Sequence, residues 1–123
     1  ALVLGPASEL VGRSGAPAGS LAVVMTHHYL HDLPILRQLL ALPLAYVGLL
    51  GPKTRADQML SEMARDGLAV TPAMLERLRA PVGLDLGANS PEEVALSILS
   101  EMHSVLSGRD GRPLRERTLP IHG

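Results

Sequence analysis

The sequence contains no cysteine, no tryptophan and no phenylalanine, and only two tyrosines among its 123 residues. Without cysteine there is no disulfide framework, no thiolate zinc site, no cysteine nucleophile and no persulfide relay through this chain. With Tyr29 and Tyr46 as the only aromatics, no stacking platform for single strands can be built. Charge is equally scarce as a signal. Eleven Lys and Arg face twelve Asp and Glu, a formal net charge of −1, which argues against a nucleic-acid footprint. Long hydrophobic runs are missing too. The longest, around Leu39–Leu50, is broken by Pro43 and Gly48 and is too short to span a bilayer. The opening Ala1–Gly5 has no basic leader or long apolar segment of an export signal. These absences together lead to the expectation of a cytoplasmic chain without membrane or nucleic-acid partners.

At 46% hydrophobic residues the chain is too apolar to stay disordered, and its length suits one domain with a real core. Leu2-Val-Leu4 is a short apolar run ended by Gly5-Pro6, and Gly12 to Ser20 reads as loop. Leu21–Met25 and Ala45–Leu50 are continuous apolar runs, the pattern of strands covered on both faces. Between them, Leu33, Leu36, Leu39 and Leu40 recur at helical spacing, with Asp32 as the expected cap, Pro34 in the first turn and Pro43 as the stop. After Gly51-Pro52 a second helix places Ala56, Met59, Leu60 and Met63 on one face and ends at Gly67. Thr71-Pro72 opens a short helix to about Arg79. Pro81–Gly87 reads as a short strand or loop. Ser90-Pro-Glu-Glu93 combines an N-cap, proline at N1 and a capping box, and predicts a long helix burying Ala95, Ile98, Leu99, Met102 and Val105. From Gly108 the tail is charged and reads mostly as loop. Strands alternating with helices imply an α/β layered fold with a mainly parallel sheet.

Ligands of such sheets sit beyond the carboxyl ends of the strands, which selects two loops. Gly51-Pro-Lys-Thr-Arg55 joins a strand to a helix start. Its backbone N–H groups with Lys53 and Arg55 suit an anion such as a phosphate, although the spacing is not that of a P-loop and Pro52 removes one donor. A tight turn with solvated basic residues explains the same letters. Thr26-His-His28 with His31 and Asp32 invites a metal reading through His27 and His31 at i, i+4, against which stand polar, partly exposed loop histidines; the position at a strand's carboxyl end suits ligand contact more than metal ligation. Asp85, between Gly83 and Gly87, is either a ligand-contacting carboxylate or a turn residue. Glu92 and Glu93 are explained by capping, and no nucleophile elbow is present. Spacing and chemistry alone give an α/β domain suited to a small anionic ligand, without a reaction.

Three segments carry a resemblance. Met25-Thr-His-His-Tyr-Leu-His-Asp32, Tyr46-Val-Gly-Leu-Leu-Gly-Pro-Lys-Thr-Arg55 and Pro81-Val-Gly-Leu-Asp-Leu-Gly-Ala-Asn-Ser-Pro-Glu-Glu-Val-Ala-Leu-Ser-Ile-Leu-Ser-Glu101 resemble motifs of the XdhC/CoxI family, the xanthine dehydrogenase accessory proteins. Ile121-His122 fits that family's closing element. The resemblance implies that residues 1–123 form the C-terminal Rossmann-like domain of such a protein. The family's glycine-rich first βα unit is not found in the sequence, so an N-terminally incomplete domain is expected, with a sheet edge exposed or covered by a neighbouring segment. The implied role is a carrier rather than an enzyme. It would bind molybdenum cofactor (molybdopterin) and assist its insertion into a xanthine dehydrogenase-type apoenzyme, with a cysteine desulfurase supplying sulfur. Apart from the resemblance, a homo-oligomer is expected. By position, Thr26, His27, Asp32, Gly51, Lys53, Arg55 and Asp85 are the expected cofactor-binding residues, with no catalytic or metal-ligating set. The alternatives are an NAD(P)- or nucleotide-binding oxidoreductase-like domain and a non-catalytic interaction module.

Overall fold

A computed structural model describes residues 2–4, 19–25 and 29–122. Four strands form one parallel sheet in the order β1-β2-β3-β4: β1 (Leu2–Leu4), β2 (Leu21–Val24), β3 (Tyr46–Leu49) and β4 (Leu78–Arg79). Helix α1 (Tyr29–Ala41) links β2 to β3. Helices α2 (Lys53–Arg65) and α3 (Pro72–Arg77) link β3 to β4. The long α4 (Pro91–Ser107) follows β4, and one 3₁₀ turn (Leu114–Glu116) lies in the tail. The α/β layered class expected from the alternation of elements, and the Rossmann-like form implied by the resemblance, are the observed ones.

Period-two alternation along the strands builds two cores. Ala22, Val24, Val47 and Leu49 face α1 and α2, where they meet Ile35, Leu36, Leu39, Leu40, Ala56, Met59 and Met63. Val23 and Tyr46 face the other way and meet Ile98 and Met102 of α4. Burial on both faces is the reason β2 and β3 read as unbroken apolar runs.

The helix ends follow local chemistry. Thr71 Oγ1 accepts the Met74 N–H, with Pro72 at the first helical position. Ser90 Oγ accepts the Glu93 N–H at 3.1 Å while the Glu93 carboxylate accepts the Ser90 N–H at 2.8 Å, closing the expected capping box. These backbone donors, from Ser90 and Asn89, hold the Glu93 carboxyl below its ordinary pKa. Gly67, at φ +91°, ends α2 by a Schellman pattern: its N–H donates to Ala64 O, and the Leu68 N–H to Met63 O. The carboxyl end of α1 has no basic residue in its last turn. Arg77 supplies the missing cation from α3, its Nη1 donating to Leu42 O at 2.6 Å and its Nη2 to Leu40 O at 3.1 Å.

Three expectations are corrected. Helix α1 is already formed at Tyr29, so Asp32 lies in its first turn rather than capping it, and Pro34 sits deeper inside. Helix α3 stops at Arg77 because Leu78–Arg79 pair with Val47 and Gly48 as β4, which leaves Pro81–Gly87 as loop. Helix α4 buries Ser97, Ile98, Glu101 and Met102, with Val94 and Val105 packed beside them, whereas Leu99 is 60% exposed and Ala95 is exposed.

Candidate functional site

The connection leaving β3 goes to α2 on one face of the sheet, and the connection leaving the adjacent β4 goes to α4 on the opposite face. Neighbouring strands whose outgoing chains part in this way leave a crevice beyond their carboxyl ends, the usual ligand position of an open α/β sheet. Two loops flank it, and the Val82 N–H ties the second to the end of β3 by donating to Leu49 O at 3.1 Å. Gly51–Arg55 lies on the β3 side and Pro81–Gly87 on the β4 side.

On the β3 side the chain turns through Gly51 at φ +130°, a conformation that disfavours any side chain. The Arg55 side chain folds back over this glycine: a Cβ there would lie 3.5 Å from Arg55 Nη1 and 3.6 Å from its Cδ. Arg55 Nη1 is buried and has no hydrogen-bond partner among the described residues. Pro52 is the N-cap of α2 and offers no side-chain cap, and the first turn has no acidic residue. Lys53 stands exposed at the first helical position. A 13-residue helix therefore begins without a side-chain cap, its Arg55 N–H donating to Pro52 O at 3.0 Å, and with two cations and no carboxylate in its first turn to neutralise them.

On the β4 side a buried polar cluster fixes the loop. Glu101 Oε1 accepts the Tyr46 hydroxyl at 2.7 Å and the Gly83 N–H at 3.0 Å, and Arg79 Nη1 stands 4.0 Å from Glu101 Oε2. Tyr46 is fully buried, and both burial and the adjacent Glu101 carboxylate push its hydroxyl pKa well up. The Tyr46 ring covers Gly48, where a Cβ would meet Tyr46 Cε1 at 3.0 Å and Val82 Cγ2 at 2.5 Å. Gly83, at φ +103°, sits against Ser97, whose Oγ would be 2.5 Å from an added Cβ. Tyr46, Gly48, Val82, Gly83, Ser97 and Glu101 thus form one contact set that ties β3, the β4 loop and α4 together.

The structure brings Gly51 and Arg55 into contact and places Lys53 on the same turn. Asp85 lies exposed on the opposite loop, and among the described residues no hydrogen bond or ion pair joins it to Lys53 or Arg55. Asp32 is completely buried. Thr26, His27 and His28, with the His31 side chain, lie outside the described residues. Among the described residues no group of three or more His, Asp or Glu is arranged to hold a metal ion, and no helix is long and apolar enough to cross a membrane. Glu101, Ser97 and Arg79 had no place in the sequence-based site. The signal for the first two was their presence in the stripe 94, 97, 98, 101, 102, 105, at spacings of one helix face.

A family model describing the XdhC Rossmann domain matches residues 3–102. A Bacillus subtilis protein described as a probable xanthine dehydrogenase subunit is 40% identical over 81 residues, 66% of this chain and 22% of that protein. An uncharacterised Escherichia coli protein, YqeB, is 34% identical over 80 residues, 65% of this chain and 14% of that protein. A solved xanthine dehydrogenase structure from Bacillus halodurans superposes with a TM-score of 0.63 at 29% identity, over 86% of this chain and 28% of that one. The matched region therefore spans between 14% and 28% of the length of these three relatives.

Proposed function

The chain belongs to the XdhC Rossmann-domain family, and from that premise we propose that it is the cofactor-holding part of a non-catalytic accessory protein serving a xanthine dehydrogenase-type enzyme. In this reading it binds molybdenum cofactor and assists its insertion into the apoenzyme. The relatives named for xanthine dehydrogenase support the client. The observation that carries the ligand is Arg55, with its buried, unpartnered Nη1 folded over Gly51 at the crevice.

The residues fit the group. Molybdopterin ends in a phosphate, and a phosphate needs donors and positive charge. Arg55 provides a guanidinium suited to two parallel hydrogen bonds, Lys53 a point charge, and the start of α2 its N–H groups. Arg55 and Lys53 would hold the phosphate, and Asp85 on the facing loop would accept from a ligand donor. Bound, the cofactor supplies the metal and sulfur chemistry of the client. This chain binds, orients and shields. Having no cysteine, it provides no thiolate, so a cysteine desulfurase is the proposed source of the terminal sulfur.

The test uses molybdopterin released from a denatured molybdoenzyme. The protein is mixed with it, passed through gel filtration, and assayed for molybdenum and oxidised pterin fluorescence. Retention of both by the parent, with loss on Arg55→Gln and weakening on Lys53→Gln, is expected. Loss of one charge-assisted contact should weaken binding roughly ten- to hundredfold. Absence of both metal and pterin from the parent would refute the reading. A parallel titration with NADH separates it from a dinucleotide site.

A further inference from the structure

Helix α4 has two apolar stripes, and the fold uses only one. The stripe not buried against the sheet is Leu96, Leu99, His103 and Leu106, with the three leucines 60%, 60% and 61% exposed. Its spacing of three, four, three is that of the a and d positions of two heptads: Leu96 and His103 at a, Leu99 and Leu106 at d. Beside it runs an open groove of about 1030 Å³. Leu99, Ser100, His103, Ser104 and Ser107 form its helix side, and Leu86 and the tail residues Leu114, Leu119 and Ile121 are the exposed large apolar residues of its other walls. These four are 51–67% exposed.

The size of this surface suits a stable interface. A leucine or isoleucine side chain offers about 100 Å² of apolar surface, so the exposed residues of seam and groove together present about 400 Å². A standard interface buries about 800 Å² per partner, somewhat over half of it apolar, or about 450 Å².

Charge selects the occupant. The amino end of α4 carries Glu92 and Glu93, and the segment just past its carboxyl end carries Arg109, Arg112, Arg115 and Arg117 against Asp110 and Glu116. A second α4 laid antiparallel on the first sets each acidic end against the other's basic tail and opposes the helix dipoles. A parallel pairing would align like charges. We propose that this chain forms an isologous dimer through α4, antiparallel about a twofold axis near Glu101. In it Leu96 faces Leu106, and Leu99 faces His103, of the second copy. These are the a-to-d layers of an antiparallel pair, with His103 as the polar a residue that fixes register. The inference stands apart from the cofactor reading, because α4's outward seam includes none of the proposed phosphate-binding residues.

Light scattering after gel filtration tests it. The parent chain should run at twice its 13.0 kDa mass, and Leu99→Glu should run as a monomer with unchanged circular dichroism. Since the chain has no cysteine, register can be read directly. Leu99→Cys and His103→Cys chains, mixed and oxidised, should form the mixed disulfide in large excess over either homodisulfide. A monomeric parent, a Leu99→Glu chain that stays dimeric, or homodisulfides equal to the mixed one would each overturn the proposal.

Discussion

Glu101 is the residue whose loss the fold should feel most. Its Oε1 accepts both the Tyr46 hydroxyl and the Gly83 N–H, and it does so at 7% exposure beside a tyrosine at 0%. Truncation by Glu101→Ala strands a buried hydroxyl donor and a half-buried N–H donor. Each costs about 1–3 kcal/mol unsatisfied, so the expected loss is about 2–6 kcal/mol. That is a large part of a domain stability of about 5–15 kcal/mol. Glu101→Gln differs in an instructive way. Both hydrogen bonds converge on one oxygen, and an amide oxygen placed there keeps both. Only the charge assistance is lost, about 1 kcal/mol. Tyr46→Phe removes a single donor and should fall between them. Urea unfolding followed by circular dichroism measures all three, with an unchanged slope confirming that stability alone has moved. If Glu101→Ala lies within about 1 kcal/mol of the parent, the cluster does not hold the β4 loop. If Glu101→Gln costs as much as Glu101→Ala, the charge toward Arg79 rather than the shared acceptor is what matters, and the reasoning fails.

Arg77→Gln should destabilise by about 1–3 kcal/mol, because the carbonyls at the end of α1 lose a charged donor; the same urea titration reads it, and a change under a few tenths would remove Arg77 as their cap. Gly48→Ala forces a methyl to 2.5 Å from Val82 Cγ2 and 3.0 Å from the Tyr46 ring, and should cost about 1–3 kcal/mol in thermal or urea unfolding. Both tyrosines should resist alkali. The Tyr29 pKa is raised to about 12 by burial and by its hydrogen bond to Glu62, and Tyr46 is pushed further still. The fold therefore favours the protonated form of each, and that contribution to stability is complete below the unfolded tyrosine pKa of about 10 and lost as pH rises through and beyond about 12. Tyrosinate absorbance should stay absent in the native chain just above pH 10 and appear on unfolding; early ionisation of both would contradict the buried geometry.

Much of the fold was legible because its signals are local. Ser90 and Glu93 are within one turn of each other, Thr71 caps a helix three residues on, and Gly67 answers carbonyls of the turn just before it. Such contacts depend on chain neighbours alone, so the letters suffice. The unbroken runs at Leu21–Val24 and Tyr46–Leu49 likewise announce strands covered on both faces. The Gly51–Arg55 turn was found for the same reason: a strand end, a glycine and a helix start are consecutive.

What the tertiary structure alone decided is which of two competing faces goes inward, and what meets across the sheet. Helix α4 has one stripe containing Leu96, Leu99 and Leu106 and another containing Ser97, Ile98, Glu101 and Met102, and apolar periodicity favours neither strongly. The choice is made by Tyr46, 55 residues away from Glu101, whose buried hydroxyl requires an acceptor. A serine and a glutamate therefore turn inward and leucines are left outside. In the same way Arg77 caps a helix to which it does not belong, and the crevice exists only because β3 and β4 send their connections to opposite faces. A sequence carries hydrogen-bond partners within a turn of each other on its face; partners a domain apart are fixed only when the sheet brings them together.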